Sequence, residues 1–218
     1  MKYIEVIVLF LLFLLFDNGF NYEHTTEFSV IVGLSKNFSV KELLSWFLIY
    51  SYMYTCLMLS CFQFLKQKII SYSVVRYDTR INVMNQYLKK VLINIAVNVG
   101  ILSMVIIIRK VQMPDLIITS EYVLQSVAIL IVGLLSSLIM FMTKNLYLSI
   151  VGVNAYILGV VVFSDIFSKI PIIGVVLAFP SYLNSIGRVS SAILFLEMLL
   201  VLLFIIVHYV VAKKINYL

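Results

Sequence analysis

Charge is scarce in this chain: of 218 residues only 12% are Asp, Glu, Lys or Arg, whereas 63% are hydrophobic and the mean hydropathy is +1.10. One water-soluble core cannot hide that much apolar surface, so an integral membrane protein is expected. Proline is nearly absent too, with three residues. Long uncharged runs with so few helix breakers favour helices over a β-barrel. The two cysteines, Cys56 and Cys61, lie five apart in one apolar run, where a helix turns them to different sides. Neither a disulfide nor a metal site is expected of them. His24 and His208 are isolated from one another and from any carboxylate pair, which argues against a metal centre. Phosphate-binding loops are missing: Gly33-Leu34-Ser35-Lys36 lacks the first glycine and the Gly-Lys step of GxxxxGK[ST]. HExxH and GxSxG are missing as well. No catalytic, metal or cofactor-binding set is identified, an enzyme is not expected, and any ATP hydrolysis would belong to a separate polypeptide.

What the chain has instead is long apolar runs. Leu43 to Leu65 are 23 uncharged residues, about 34 Å of helix at roughly 1.5 Å per residue. Val91 to Ile108 and Tyr122 to Thr143 follow, and after only Lys144-Asn145 comes Leu146 to Ser164. So short a connector predicts an antiparallel pair. The run between Lys2 and Asp17 is interrupted only by Glu5, and DNGFNYEH after it offers no small-x-small cleavage site, so it reads as an uncleaved first helix. A last run, Ser190 to Ala212, contains Glu197. The expected fold is an all-α integral membrane protein, one domain over 1–218, with six transmembrane helices at about 3–20, 43–65, 91–108, 122–143, 146–164 and 190–212. PIIGVVLAFP, bracketed by Pro171 and Pro180, is too short to cross and predicts a re-entrant or interfacial element over 171–183.

One long polar segment divides these runs. In Lys66 to Lys90, the residues Lys66, Lys68, Arg76, Arg80, Lys89 and Lys90 oppose a lone Asp78, a net +5 against +6 for the chain. Its apolar residues Ile70, Val74, Tyr77, Ile81, Met84 and Leu88 recur at steps of three and four, a helical stripe. Basic loops stay cytoplasmic. With both termini inside, cytoplasmic positions carry nine net positive charges and the external loops none. A bacterial plasma membrane is expected from a composition rich in Ile, Asn, Lys and Tyr.

Within the runs, Asn94 and Asn98 sit one turn apart, and Gln125, Asn154 and Glu197 fall on three other helices. Polar groups in hydrocarbon require partners. These five either line a substrate pathway or hydrogen-bond neighbouring helices to fix packing. Glu197, close to the external end of its helix, has a further option, reaching the headgroups with only part of its side chain buried. Gly133 with Ser137, and Gly152 with Tyr156 and Gly159, offer faces for close helix approach.

This layout, together with VVRYDTRINVMNQYLKK from Val74 to Lys90, resembles an ABC-2 type (type V exporter-like) transporter permease, and more narrowly the small six-helix permeases of bacterial peptide and bacteriocin export or immunity systems. The likeness covers the whole chain in layout and only this stretch in sequence. It departs from the pattern at the start, where many such permeases carry an amphipathic helix and here only Met1 and Lys2 precede the first run. The resemblance implies that Val75, Arg76, Tyr77, Asp78 and Arg80 belong to a coupling helix seated on a separate ATP-binding subunit, which would hold the ATP and magnesium. It implies also a second permease copy or a homologous one, and a hydrophobic or peptide substrate for export, with no nucleic acid. An ordinary interfacial helix held by anionic lipid would show the same stripe and charge. An alternative function is the six-helix substrate-capture subunit of a vitamin importer.

Overall fold

A computed structural model describes residues 3–18, 40–71, 77–112, 121–163 and 191–214. They form six helices: α1 (Tyr3–Asn18), α2 (Val40–Ser71), α3 (Tyr77–Gln112), α4 (Glu121–Thr143), α5 (Leu146–Val162) and α6 (Ser191–Lys214). No strand occurs among the described residues. None of the six helices contains proline, so each backbone ladder runs without a missing donor. Within them, Leu43–Gln67, Ile81–Ile108, Gln125–Thr143 and Leu194–Lys214 are long and apolar enough to cross a membrane. The apolar parts of α1 and α5, Tyr3–Leu15 and Leu146–Val162, are shorter. The chain is therefore a helical membrane protein, with four helices of spanning length among the described residues.

The basic segment is divided between two long helices. Residues 66–71 continue α2 and 77–90 open α3, while 72–76 lie outside the described residues. The expected start of a span at 91 marks only where charge ends. The buried face of α3 runs through that point without a break, from Met84, Tyr87 and Leu88 to Val91, Ile95 and Leu102. Lys89 is exposed on the other side, so nothing in the packing asks the helix to stop. At about 1.5 Å per residue the 32 residues of α2 and 36 of α3 measure about 48 and 54 Å, well over the ~30 Å of hydrocarbon. The element expected at 171–183 lies outside the described residues.

Three helices make the centre. α2, α3 and α4 pack on one another, and each groove between two of them holds an outer helix: α1 on α2 and α3, α5 on α2 and α4, α6 on α3 and α4. Burial follows this order, since 67% of the apolar stretch of α4 is buried but 17% of that of α6. The outer helices turn Ile7, Leu11, Val151, Leu158, Leu199 and Leu203 outward, an apolar exterior suited to lipid chains.

Gly133 lets the central helices close up. A Cβ there would meet Ile95 Cδ1 of α3 at 2.8 Å and Leu57 Cδ2 of α2 at 3.4 Å, so the missing side chain permits the approach. At Gly152 and Gly159 a Cβ would meet nothing within 4 Å, so neither glycine serves a close approach here, while Tyr156 between them packs against the core. The α4–α5 turn is made by Lys144, at φ 53°, and Asn145, whose side chain accepts from the Leu148 N–H at 3.2 Å. A left-handed residue followed by an N-cap reverses the chain in the least length.

Candidate functional site

The central helices carry two levels of buried polar residues. At the first, near the Lys90 and Lys213 end, the Tyr87 hydroxyl donates to the Ser137 carbonyl at 2.7 Å. Ser137 Oγ lies 2.9 Å from His208 Nε2, and His208 Nδ1 lies 2.7 Å from the Phe204 carbonyl. A carbonyl can only accept, so Nδ1 carries the proton and, in the neutral ring, Nε2 accepts from the Ser137 hydroxyl. The Leu134 carbonyl, 2.8 Å from Ser137 Oγ, competes with His208 Nε2 for that hydroxyl's single proton. Tyr87 packs its ring on Phe141 and Phe64, with centroids 5.4 and 6.0 Å away. A hydroxyl aimed at an imidazole nitrogen is the arrangement a nucleophile requires. Here Ser137 and His208 are both 0% exposed, with the Tyr87 ring beside the imidazole at 6.4 Å between centroids. The pair works as a link that ties α3, α4 and α6 together.

The second level lies three turns away. Eleven residues return a helix to nearly the same face, about 16 Å along its axis. Counting eleven back from His208 gives Glu197, and eleven back from Ser137 gives Ser126. Glu197 and Ser126 thus each lie about 16 Å from the first level along their own helices. On α2 the Tyr50 hydroxyl takes a hydrogen bond from Gln125 Nε2, and its ring lies against Trp46 with centroids 5.3 Å apart. Asn98 of α3 lies one turn from Asn94, whose bond to Ser60 puts that side of α3 against α2.

Satisfaction differs sharply between the levels. Glu197 is 0% exposed and neither carboxyl oxygen has a hydrogen-bond partner; Asn98 is 1% exposed and neither its oxygen nor its nitrogen has one. Each such group left alone costs about 1–3 kcal/mol, more for a charge. The expectation that Glu197 might reach the headgroups is thus overturned, because it stands on the face of α6 that also carries Val201 and His208, turned into the bundle. Of the other candidates, Asn94 donates to Ser60 Oγ at 2.9 Å and links α3 to α2. Asn154, on α5, donates to its own helix at the Ile150 carbonyl, 2.9 Å away. The structure therefore gathers Asn94, Asn98, Gln125 and Glu197 along the inner faces of the bundle and sets Asn154 apart on an outer helix.

A groove of about 480 Å³ runs between α3 and α6. Leu88, Leu92, Ile93, Ala96 and Ile205 form its walls, and Asn85, Lys89 and Tyr209 line its basic end. The Tyr209 hydroxyl donates to Asn85 Oδ1 at 2.6 Å. Of the coupling residues implied by the family likeness, Val75 and Arg76 lie outside the described residues, and Tyr77, Asp78 and Arg80 fall in the first turn of α3. Among the described residues no three His, Cys, Asp or Glu side chains group as a metal site.

Sequence reasoning missed Tyr50, Tyr87, Ser137 and His208 as members of polar clusters. A signal was present: Tyr87 with Asn98, Ser126 with Ser137, and Glu197 with His208 are polar pairs eleven residues apart in apolar helices. Compared with models of protein families, with curated proteins and with solved structures, the chain matches none.

Proposed function

We propose that this chain is the permease subunit of an ABC-2 type exporter in a bacterial plasma membrane, moving a hydrophobic or amphipathic molecule, peptide in class, with energy supplied by a separate ATP-binding subunit. One observation carries the reading. Since Gly133 faces Ile95 and Leu57, the last residue of α4, Thr143, is level with residue 85 of α3 and residue 67 of α2. By the Ser137–His208 bond it is also level with Lys214, where α6 ends. At this end α4 and α6 stop together, whereas α2 continues through 68–71 and α3 begins eight residues further out, at Tyr77. A protruding, basic pair of helix ends beyond a membrane bundle is what a soluble motor subunit can grip and move.

The groove between α3 and α6 supports the cargo class. It lies beside the exposed Leu92 and Ile93 of α3, so a molecule could reach it sideways from the lipid, apolar part along Leu92 and Ala96 and polar part at Lys89 and Asn85. Two such subunits, the termini and the 66–90 segment all cytoplasmic, complete the proposal. The test is co-purification of the tagged full chain from its own cell. An ATP-binding protein should come with it, and Arg76→Glu combined with Arg80→Glu should abolish both that association and export while the variant still reaches the membrane. Unchanged association and export in the double variant would sink the coupling role.

A further inference from the structure

We propose that the groove between α3 and α6 is a binding site for one anionic phospholipid, its phosphate held by Lys89 and Asn85 and one acyl chain lying along Leu92, Ala96 and Ile205. The groove has two unlike parts. Its long wall, from Leu88 to Ala96 on α3 with Ile205 on α6, is apolar apart from Lys89, and Leu92 and Ile93 are exposed, so it opens sideways to the surrounding lipid. Asn85, Lys89 and Tyr209 gather at one end. That end adjoins Val91, where the uncharged run of α3 begins, and lies within two turns of Lys213 and Lys214 at the end of α6. Ala96 is eleven residues beyond Asn85, about 16 Å along the axis, close to half of the ~30 Å of hydrocarbon. The groove thus has the depth of one leaflet, with its polar end where the headgroups of that leaflet lie.

The polar end is arranged to donate. Tyr209 gives its hydroxyl proton to Asn85 Oδ1 at 2.6 Å, which ties α6 to α3 and turns the Asn85 oxygen toward Tyr209. What Asn85 then offers a ligand is its NH2 group, beside the three N–H bonds of the Lys89 ammonium. Among the described residues no acidic side chain lines the groove. In α3 the preceding acid is Asp78, eleven residues before Lys89, and in α6 the one acid is Glu197, twelve residues before Tyr209 and buried. The charge of Lys89 is therefore not neutralised within the groove, and a phosphate supplies both the opposite charge and the acceptors. The lysine stem can lie along the apolar wall while its ammonium stays at the headgroups, and basic pockets between membrane helices hold anionic lipid in this way. The site does not depend on whether the chain is a permease; in a permease the lipid is what cargo displaces on entry.

The experiment is native mass spectrometry of the purified, delipidated full chain in mild detergent, titrated with phosphatidylglycerol, with phosphatidylcholine of the same acyl chains, and with glycerol 3-phosphate. One phosphatidylglycerol per chain should bind saturably and more tightly than phosphatidylcholine, and glycerol 3-phosphate, which has no chain for the apolar wall, should not bind. Lys89→Gln should weaken phosphatidylglycerol about fivefold and bring the two lipids level, whereas Lys66→Gln, at an exposed lysine of α2 outside the groove, should change nothing. Ala96→Trp fills the apolar wall and should weaken both lipids. Helical circular dichroism checks that each variant is folded. Equal binding of the two lipids by the wild-type chain, full binding in folded Lys89→Gln or Ala96→Trp, an equal loss in Lys66→Gln, or saturable binding of glycerol 3-phosphate alone overturns the proposal. So does a stable two-chain species that takes up no lipid and is broken by Ala96→Trp, since the groove would then hold a second copy.

Discussion

The same substitution should have opposite signs at different glycines, destabilising at Gly133 and stabilising at Gly152 and Gly159. At Gly133 an added methyl would lie 2.8 Å from Ile95 Cδ1, 2.9 Å from Ile95 Cγ1 and 3.4 Å from Leu57 Cδ2. Unbonded carbons rest at ~3.5–4.0 Å, so either α4 draws back from α3 or Ile95 leaves its rotamer. Overpacking of this kind costs about 1–3 kcal/mol. Alanine regains up to about 1 kcal/mol of helix propensity over glycine, which leaves Gly133→Ala destabilised by roughly 0–3 kcal/mol on the same two ranges. Gly133→Leu, which forces three more carbons into the same contact, should fall at the upper end or beyond. Gly152 and Gly159 have no neighbouring atom within 4 Å of such a methyl, so only the propensity gain of up to about 1 kcal/mol remains there. The measurement is unfolding of the purified variants in mild detergent, followed by helical circular dichroism. If Gly133→Ala proves as stable as Gly152→Ala, α4 does not approach α3 this closely, and the three-helix centre is wrong.

Two further outcomes follow from the same geometry. Tyr87→Phe keeps the ring contacts with Phe141 and Phe64 and removes the bond to the Ser137 carbonyl together with the hydroxyl's contact to the Cys61 thiol, so it should cost about 0.5–1.5 kcal/mol or somewhat more in the same unfolding measurement; no change at all would mean the hydroxyl is not bonded. Cys56 and Cys61 are 2% and 0% exposed, so the wild-type chain should resist a membrane-impermeant maleimide on either side. Against that background Lys66→Cys and Lys144→Cys, at exposed positions, should label only from the cytoplasmic face; labelling of either from outside would reverse the orientation.

Much of the architecture is legible in composition and period. The apolar runs at 43–65, 122–143 and 146–164 each sit within or nearly coincide with a helix, and the two-residue connector Lys144-Asn145 joins α4 to α5 as its brevity requires. The helical stripe expected through the basic segment and the apolar run from 91 join in one helix, α3, from Tyr77, because a lysine on the outer side of a helix interrupts hydropathy without interrupting hydrogen bonding. The polar residues were legible as candidates but their partners were not. His208 looks isolated along the chain and is bonded to Ser137, 71 positions away.

The amino-acid sequence by itself determined that this chain is helical and made for a membrane, because hydrocarbon admits long apolar segments only when their backbone polar groups are satisfied within the segment. It determined too which residues are polar within those segments. Only the tertiary structure decided that α2, α3 and α4 form the centre, that Tyr87, Ser137 and His208 satisfy one another, and that Glu197 faces inward with no hydrogen-bond partner. The reason is physical: in lipid, apolar faces gain little by choosing one apolar neighbour over another, so which helices meet is settled by small-residue contacts such as Gly133 on Ile95 and by the few polar groups that must find each other across the bundle.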